Sequence, residues 1–478
     1  MDAQTNAILR SDNLLPGQRI DAHGNTHVHW RGVWILAAPM IANNATQMIL
    51  NLTDTWFIGR ISTEALAAVG SVQWLTFVAI MLFGGVGLAV QTVVAQAFGA
   101  RRYRRASQAT WIGLWATLGT IPIFVAIGLI GPWVLAPFRL EPSIELQATQ
   151  FWQPRVCGGF LAVALWAVLG FFNGIGKPRI ALWGSVLDVV ANVALCPLFI
   201  FYWNFGVAGA AWATNTAMTL SVLVALIIFL APIFHRSFSS RRTWRLRVPL
   251  LINQWKLGFP MGLMIAADMV GISLFQLMQV RVGTVEGAVT QVVVMLTSIA
   301  YMPAVGIALA GTTLVGQSIG AGDRDWAYRV GNAIVILATG YMACIGLLLG
   351  LTGPWLLPLF VNSQDPQAAQ VIALGVSVIW IGGAYQFFDG LNIASGCCLR
   401  GAGDTTIPAI LVIMLSWFVF VPIAHMATFT HDNGWFDVLP QFGFGAIGGW
   451  WALLIYIVLL GLALLWRWRA RAWQKITI

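Results

Sequence analysis

Hydrophobic residues in this chain come in long unbroken runs separated by short polar breaks. A helix needs about 20 apolar residues to cross a bilayer. Runs of that order lie near 33–53, 66–93, 109–135, 151–173, 180–203 and 208–233. A second set lies near 257–281, 288–316, 331–357, 370–396, 406–428 and 444–466. None alternates with the period of two that a spanning β-barrel requires, and in lipid only helices or closed barrels satisfy the whole backbone internally. The pattern predicts an all-α polytopic membrane protein of about 12 transmembrane helices. Its segments are a tail at 1–32, a six-helix lobe at 33–233, a basic linker at 234–256, a six-helix lobe at 257–466 and a basic tail at 467–478.

The second lobe repeats the first. GVGLAVQTVVAQAFGA (85–100) and GIALAGTTLVGQSIGA (306–321) share eight of 16 positions at an offset of 221. The same offset aligns Pro39-Met40 with Pro260-Met261, and NGIGKPRIA (173–181) matches RGAGDTTIP (400–408) at an offset of 227. Six spans return the chain to its starting side. The copies are therefore parallel, related by a pseudo-twofold axis along the membrane normal, with a cleft between lobes that suits alternating access.

Charge sets the orientation. Of the 26 lysines and arginines all but Arg60, Arg139, Arg155 and Arg281 fall on one side of the predicted membrane. The positive-inside rule then places both termini in the cytoplasm, with the protein in a cell (inner) membrane. The net charge of +9 follows from this topology and does not indicate nucleic-acid binding, since no basic domain stands apart from the spans. Only 9% of the residues are charged, against about 25% in a soluble domain, so no water-soluble domain of useful size remains. The first 32 residues lack an apolar h-region and do not read as a signal peptide. Some of the 24 tryptophans suit interfacial belts. The five cysteines show no metal spacing and read as small packing residues. GIGKP and RGAGDT lack a phosphate-loop pattern and read as tight turns.

Four acids fall within or at the edge of spans: Asp54, Asp188, Asp268 and Asp389. A charged carboxylate in hydrocarbon costs several kcal/mol, so such an acid marks a function by default. Tyr385 and Asp389 share a helical face at i, i+4, and Asp188, Asn192 and Cys196 form a ladder of the same spacing. Oxygen-bearing side chains on one face can coordinate a hard cation, and a carboxyl in a dry pocket can instead hold a proton. Either way the acid exchanges a cation between two sides.

With its doubled six-span plan, the VAQAFGA/VGQSIGA and GIGKP/GAGDT pairs and these acids, the chain resembles the multidrug and toxic compound extrusion (MATE) family over about residues 30–466. The resemblance implies a secondary antiporter. It would export organic, often cationic and amphiphilic compounds in exchange for protons or sodium ions, as a monomer and without a cofactor. It implies an N-lobe coupling site at Asp54, Asn192 and Thr214, and a helix-1 bend at Pro39. The family often has an aspartate where this chain has Cys196, one turn after Asn192; Asp188, one turn before Asn192, is the carboxylate that could partly compensate. It also implies a C-lobe cation site, with sodium as a candidate, at Asp268, Tyr385 and Asp389. Sodium favours several oxygen ligands and a thiol is a poor one, so the N-lobe is expected to work with protons and the C-lobe to carry any sodium dependence. The alternative is a lipid-linked oligosaccharide flippase of the same superfamily, disfavoured by the near absence of Arg and Lys within the spans. An enzyme is disfavoured because no nucleophile–base set or metal motif appears, and a channel needs no coupling acid in each lobe.

Overall fold

The computed structural model describes residues 15, 17–21, 26–136, 141–361, 366–431, 434–435 and 440–476. Arg10 and Arg139, which were counted for orientation, lie outside the described residues. Among the described residues twelve helices are long and apolar enough to span a membrane, the first six being α1 Trp30–Gly59, α2 Thr63–Gly99, α3 Tyr103–Leu129, α4 Pro142–Gly174, α5 Pro178–Tyr202 and α6 Gly206–Leu230. The second half supplies α7 Val248–Val282, α8 Thr284–Gly320, α9 Arg324–Leu359, α10 Ala368–Ala402, α11 Thr406–Thr428 and α12 Gly445–Arg469. Before them a two-stranded antiparallel ribbon pairs Gln18–Ile20 with Thr26–Val28.

Local chemistry sets the helix ends. Ser62 caps α2 by accepting the Ala65 N–H, and Asp323 caps α9 by accepting the Trp326 N–H. α4 begins at Pro142 and α5 at Pro178, where a missing N–H leaves nothing unsatisfied. α4 therefore starts nine residues before the predicted run at 151, because its first turns, PSIELQATQ, are polar. α3 ends at Leu129, and a separate short helix, Gly131–Leu135, takes up the rest of the predicted third run. α7 begins at Val248, inside the stretch expected to be linker. The fifth helix of each half holds a π turn, at Leu198–Tyr202 in α5 and Ser416–Phe420 in α11. α1 stays helical through Pro39, and α7 through its repeat partner Pro260.

Each half has its own apolar core. One runs from Phe57 to Phe238 and gathers α2 to α6. The other runs from Phe275 to Trp473 and also takes in Val33, Leu36, Ala37 and Met40 of α1, so the first turns of α1 pack with the second half.

Short connections make successive helices antiparallel, so the turns after α2, α4, α8 and α10 share one end of the bundle. That end carries Arg101–Arg105, Lys177 and Arg400. The two halves meet closely there. Gln96 Nε2 donates to the Gly401 carbonyl at 3.0 Å, and its repeat counterpart Gln317 donates to the Gly174 carbonyl at 2.7 Å. Gly401 and Gly174 are themselves counterparts, so the repeated motifs bond reciprocally across the axis. Gln91, Thr313 and Gln254 add bonds to Leu309, Asn173 and Val86 carbonyls of the opposite half. A Cβ on Gly99 would lie 1.9 Å from the Gln317 carbonyl oxygen, and one on Gly320 would lie 1.9 Å from that of Gln96. Only glycine lets these backbones approach so closely.

This contact predicts opposite effects of one substitution at two glycines. Gly320→Ala forces backbone apart and should destabilise the purified protein by about 1–3 kcal/mol. Gly340→Ala, where nothing lies within 4 Å, should be neutral or stabilise by up to about 1 kcal/mol through helix propensity. Thermal unfolding in detergent measures both.

Candidate functional site

The first half assembles one polar cluster from α1, α5 and α6. Asp54 comes from the last turns of α1, Asn192 and Cys196 from one face of α5, and Thr214 from α6. Asn192, Cys196 and Thr214 are buried. Thr214 Oγ1 lies 3.4 Å from Asp54 Oδ2 and 3.0 Å from the Ala210 carbonyl, so its single proton has two acceptors. It also accepts from Asn192 Nδ2 at 3.1 Å. The Cys196 thiol faces a similar choice, at 3.7 Å from Asp54 Oδ1 and 3.5 Å from Asn192 Oδ1. Asp54 is thus held by long contacts to neutral donors that have other partners to turn to.

Asp188 lies two turns from Cys196 on α5, about 12 Å along the axis at 1.5 Å per residue. It is fully buried, and neither carboxylate oxygen has a hydrogen-bond partner. It interacts electrostatically with Asp54 and with Arg155 of α4. Arg155 lies inside the predicted run at 151–173, and the longer α4 sets it deeper in the helix, with Nη1 buried and without a hydrogen-bond partner. Pro142 at the first helical position and Glu145 in the first turn were the available signals of that earlier start.

The second half brings Asp268 of α7, Tyr385 of α10 and Asp389 of α10 together; Tyr385 lies within electrostatic range of both carboxylates. Asp389 is buried, and its Oδ1 accepts from Asn392 Nδ2 at 3.2 Å. Asp268 Oδ1 accepts the hydroxyl proton of Tyr456 in α12. Tyr301 of α8 interacts with both acids as well. Tyr456, Tyr301 and Asn392 escaped the sequence reading. Tyr456 was visible only as a lone polar tip in LLIYIVLL, with its partner 188 residues away. In each carboxylate the described bond uses Oδ1 and leaves Oδ2 available, a donor set that suits a monovalent hard cation or a proton. His425 of α11 is buried and accepts the Trp435 backbone N–H through Nε2 at 3.0 Å.

A family model, MatE, matches residues 39–198 and 260–426, one segment in each half. The chain is 29% identical over 475 residues to a probable multidrug resistance protein NorM of Rhizobium meliloti (strain 1021), covering 96% of this chain and 95% of that one. It is 29% identical over 444 residues to a protein of the same description from Pseudomonas putida, covering 90% and 92%. Among solved structures, a MATE protein in complex with MaL6 superposes with a TM-score of 0.78 at 20% identity, covering 93% of this chain and 97% of that one. The outward-facing conformation of a multidrug resistance MATE family transporter of the MOP superfamily gives 0.78 at 20% identity, covering 93% and 96%. At such identity these two establish the fold.

The Tyr456 hydroxyl is the only described donor to Asp268. Tyr456→Phe should destabilise the purified protein by about 1–3 kcal/mol, the range for stranding a buried polar group. Combined with Asp268→Asn the losses should be non-additive by at least about 0.5 kcal/mol, measured as a double-mutant cycle of thermal unfolding.

Proposed function

We propose that this chain, which belongs to the MatE family, is a secondary antiporter that exports organic, cationic amphiphilic compounds in exchange for protons or sodium ions. Relatives described as multidrug resistance proteins, aligned over nearly the whole chain, support export of foreign compounds. The observation that carries the antiport reading is the set of carboxylates inside membrane-spanning helices of both halves, each held by neutral donors: Asp54 by Thr214 and Cys196, Asp268 by Tyr456, Asp389 by Asn392. A carboxylate there is tolerable only when its charge is met, so its occupancy depends on which side it faces. Moving one charge through 100 mV is worth about 2.3 kcal/mol, so each cation entering beyond the charge the compound carries out supplies that work, and the cation's own concentration gradient adds to it.

Alternating access needs a barrier that opens. The positive-inside rule assigns the basic end to the cytoplasm of an inner-membrane protein with both termini inside. The reciprocal bonds of Gln96 and Gln317 then form a cytoplasmic barrier, and loading a compound from inside requires both to break. In the first half a proton suffices, because Cys196 stands where a further oxygen ligand would serve sodium. Any sodium dependence belongs to Asp268, Tyr385 and Asp389. Arg155 is a basic residue within the spans, the feature counted for a flippase, but its charge is engaged with Asp54 and Asp188 and is not free for a lipid-linked phosphate. One chain suffices for the transport cycle, since both cation sites and the barrier are built within it.

Cells that rely on this protein for efflux of a fluorescent organic cation test the reading. Asp54→Asn and Asp389→Asn should each reach the membrane in normal amount and slow energised efflux about tenfold or more, the loss of roughly one charge-worth of work. Asp188→Asn should be milder than Asp54→Asn. Wild-type efflux from either of the first two variants would contradict the assignment.

A further inference from the structure

Asp188 on α5 is buried, and Asp54 on α1 and Arg155 on α4 are half-buried, all three within electrostatic range of one another. Asp188 is 0% exposed and neither of its oxygens has a hydrogen-bond partner, while Arg155 buries Nη1 without an acceptor. The guanidinium acts electrostatically on both carboxylates, yet no direct ion pair joins it to either among the described residues. Among the described residues no other charged side chain enters the electrostatics of the three. Two single negative charges and one fixed positive charge leave this cluster one charge short of neutrality. A guanidinium does not give up its proton in a protein, so it cannot be the exchanging group.

We infer that Arg155 is the built-in counter-ion of the first half, compensating one of the two carboxylates so that the cluster exchanges a single positive charge at Asp54. The inference rests on the antiporter reading and sets its stoichiometry. The two acids divide the work by their surroundings. Asp188 has no neutral donor and depends on Arg155 for compensation. Asp54 has Thr214 and Cys196 around it and can accept an arriving positive charge. An aspartate at position 196 would have added a third carboxylate and a demand for a second exchangeable charge, so the cysteine and the arginine act in the same direction. The second half differs. Asp268 and Asp389 are surrounded by the neutral side chains of Tyr301, Tyr385, Tyr456 and Asn392, with no basic residue in their electrostatics. It has room for two positive charges where the first half has room for one.

Reconstituted vesicles loaded with a fluorescent organic cation and given a pH gradient test this. Arg155→Met should slow transport about tenfold or more, because a carboxylate loses its partner, and Arg155→Lys should retain most of it. The double variant Arg155→Met/Asp188→Asn should recover a rate within about threefold of wild type, since removing both charges restores the balance. Arg155→Met/Asp54→Asn carries the same net charge and should stay inactive. This pair of double variants reads the inference even if Arg155→Met alone fails to fold, and a purely structural arginine would not distinguish them. Arg155→Met within about twofold of wild type, or two equally inactive double variants, overturns the counter-ion role. Wild-type vesicles that move no compound under any cation gradient overturn the antiporter reading, and this inference with it.

Discussion

The structure is organised around one constraint: a carboxylate inside a membrane must have its charge met. Water cannot do it there, so the protein supplies donors, a counter-charge or an exchangeable cation. Asp268 and Asp389 each engage one oxygen with a neutral donor and keep the other available. Asp54 has long contacts to a hydroxyl and a thiol, with the Asn192 amide beside them. Asp188 has no hydrogen bond among the described residues and has Arg155 within electrostatic range. The donors for Asp54 come from α5 and α6 and the donor for Asp268 from α12, so these helices must converge on α1 and α7.

Duplication supplies the frame in which the acids work. The repeated glutamines and glycines bond across the axis in matching pairs, Gln96 to Gly401 and Gln317 to Gly174. Each half thus closes the basic end using the other half's turn. The polar clusters do not follow the symmetry. The first half places its acids on α1 and α5 beside an arginine, whereas the second places them on α7 and α10 among tyrosines. The two halves thus share a frame but differ in the charge they carry inside it.

Much of this was legible in the sequence because membrane helices are written locally. Twelve runs of the right length were found, and α11 was placed at the residues the structure gives it, 406–428. The repeat was readable as a pattern, and the family followed from it. The Asp54, Asn192 and Thr214 cluster and the Asp268, Tyr385 and Asp389 cluster came from resemblance, and the fold brings each together. Contacts across the fold were not readable. That Gln96 bonds the other copy, 305 residues away, or that Tyr456 meets Asp268, depends on helix packing that a one-dimensional pattern does not contain. Arg155 lies within the predicted fourth run, but its electrostatic partners Asp54 and Asp188, on other helices, were not readable, and the polar first turns of α4 hid how far that helix extends.

The most direct measurement is transport of a fluorescent organic cation by the wild-type protein in sealed vesicles, driven once by a pH gradient in sodium-free buffer and once by a sodium gradient at equal pH. A proton at Asp54 as the first half's exchangeable charge predicts that the pH gradient alone drives transport, and that any sodium-driven component disappears in Asp389→Asn. Transport driven by sodium alone, and persisting in Asp389→Asn, would contradict it.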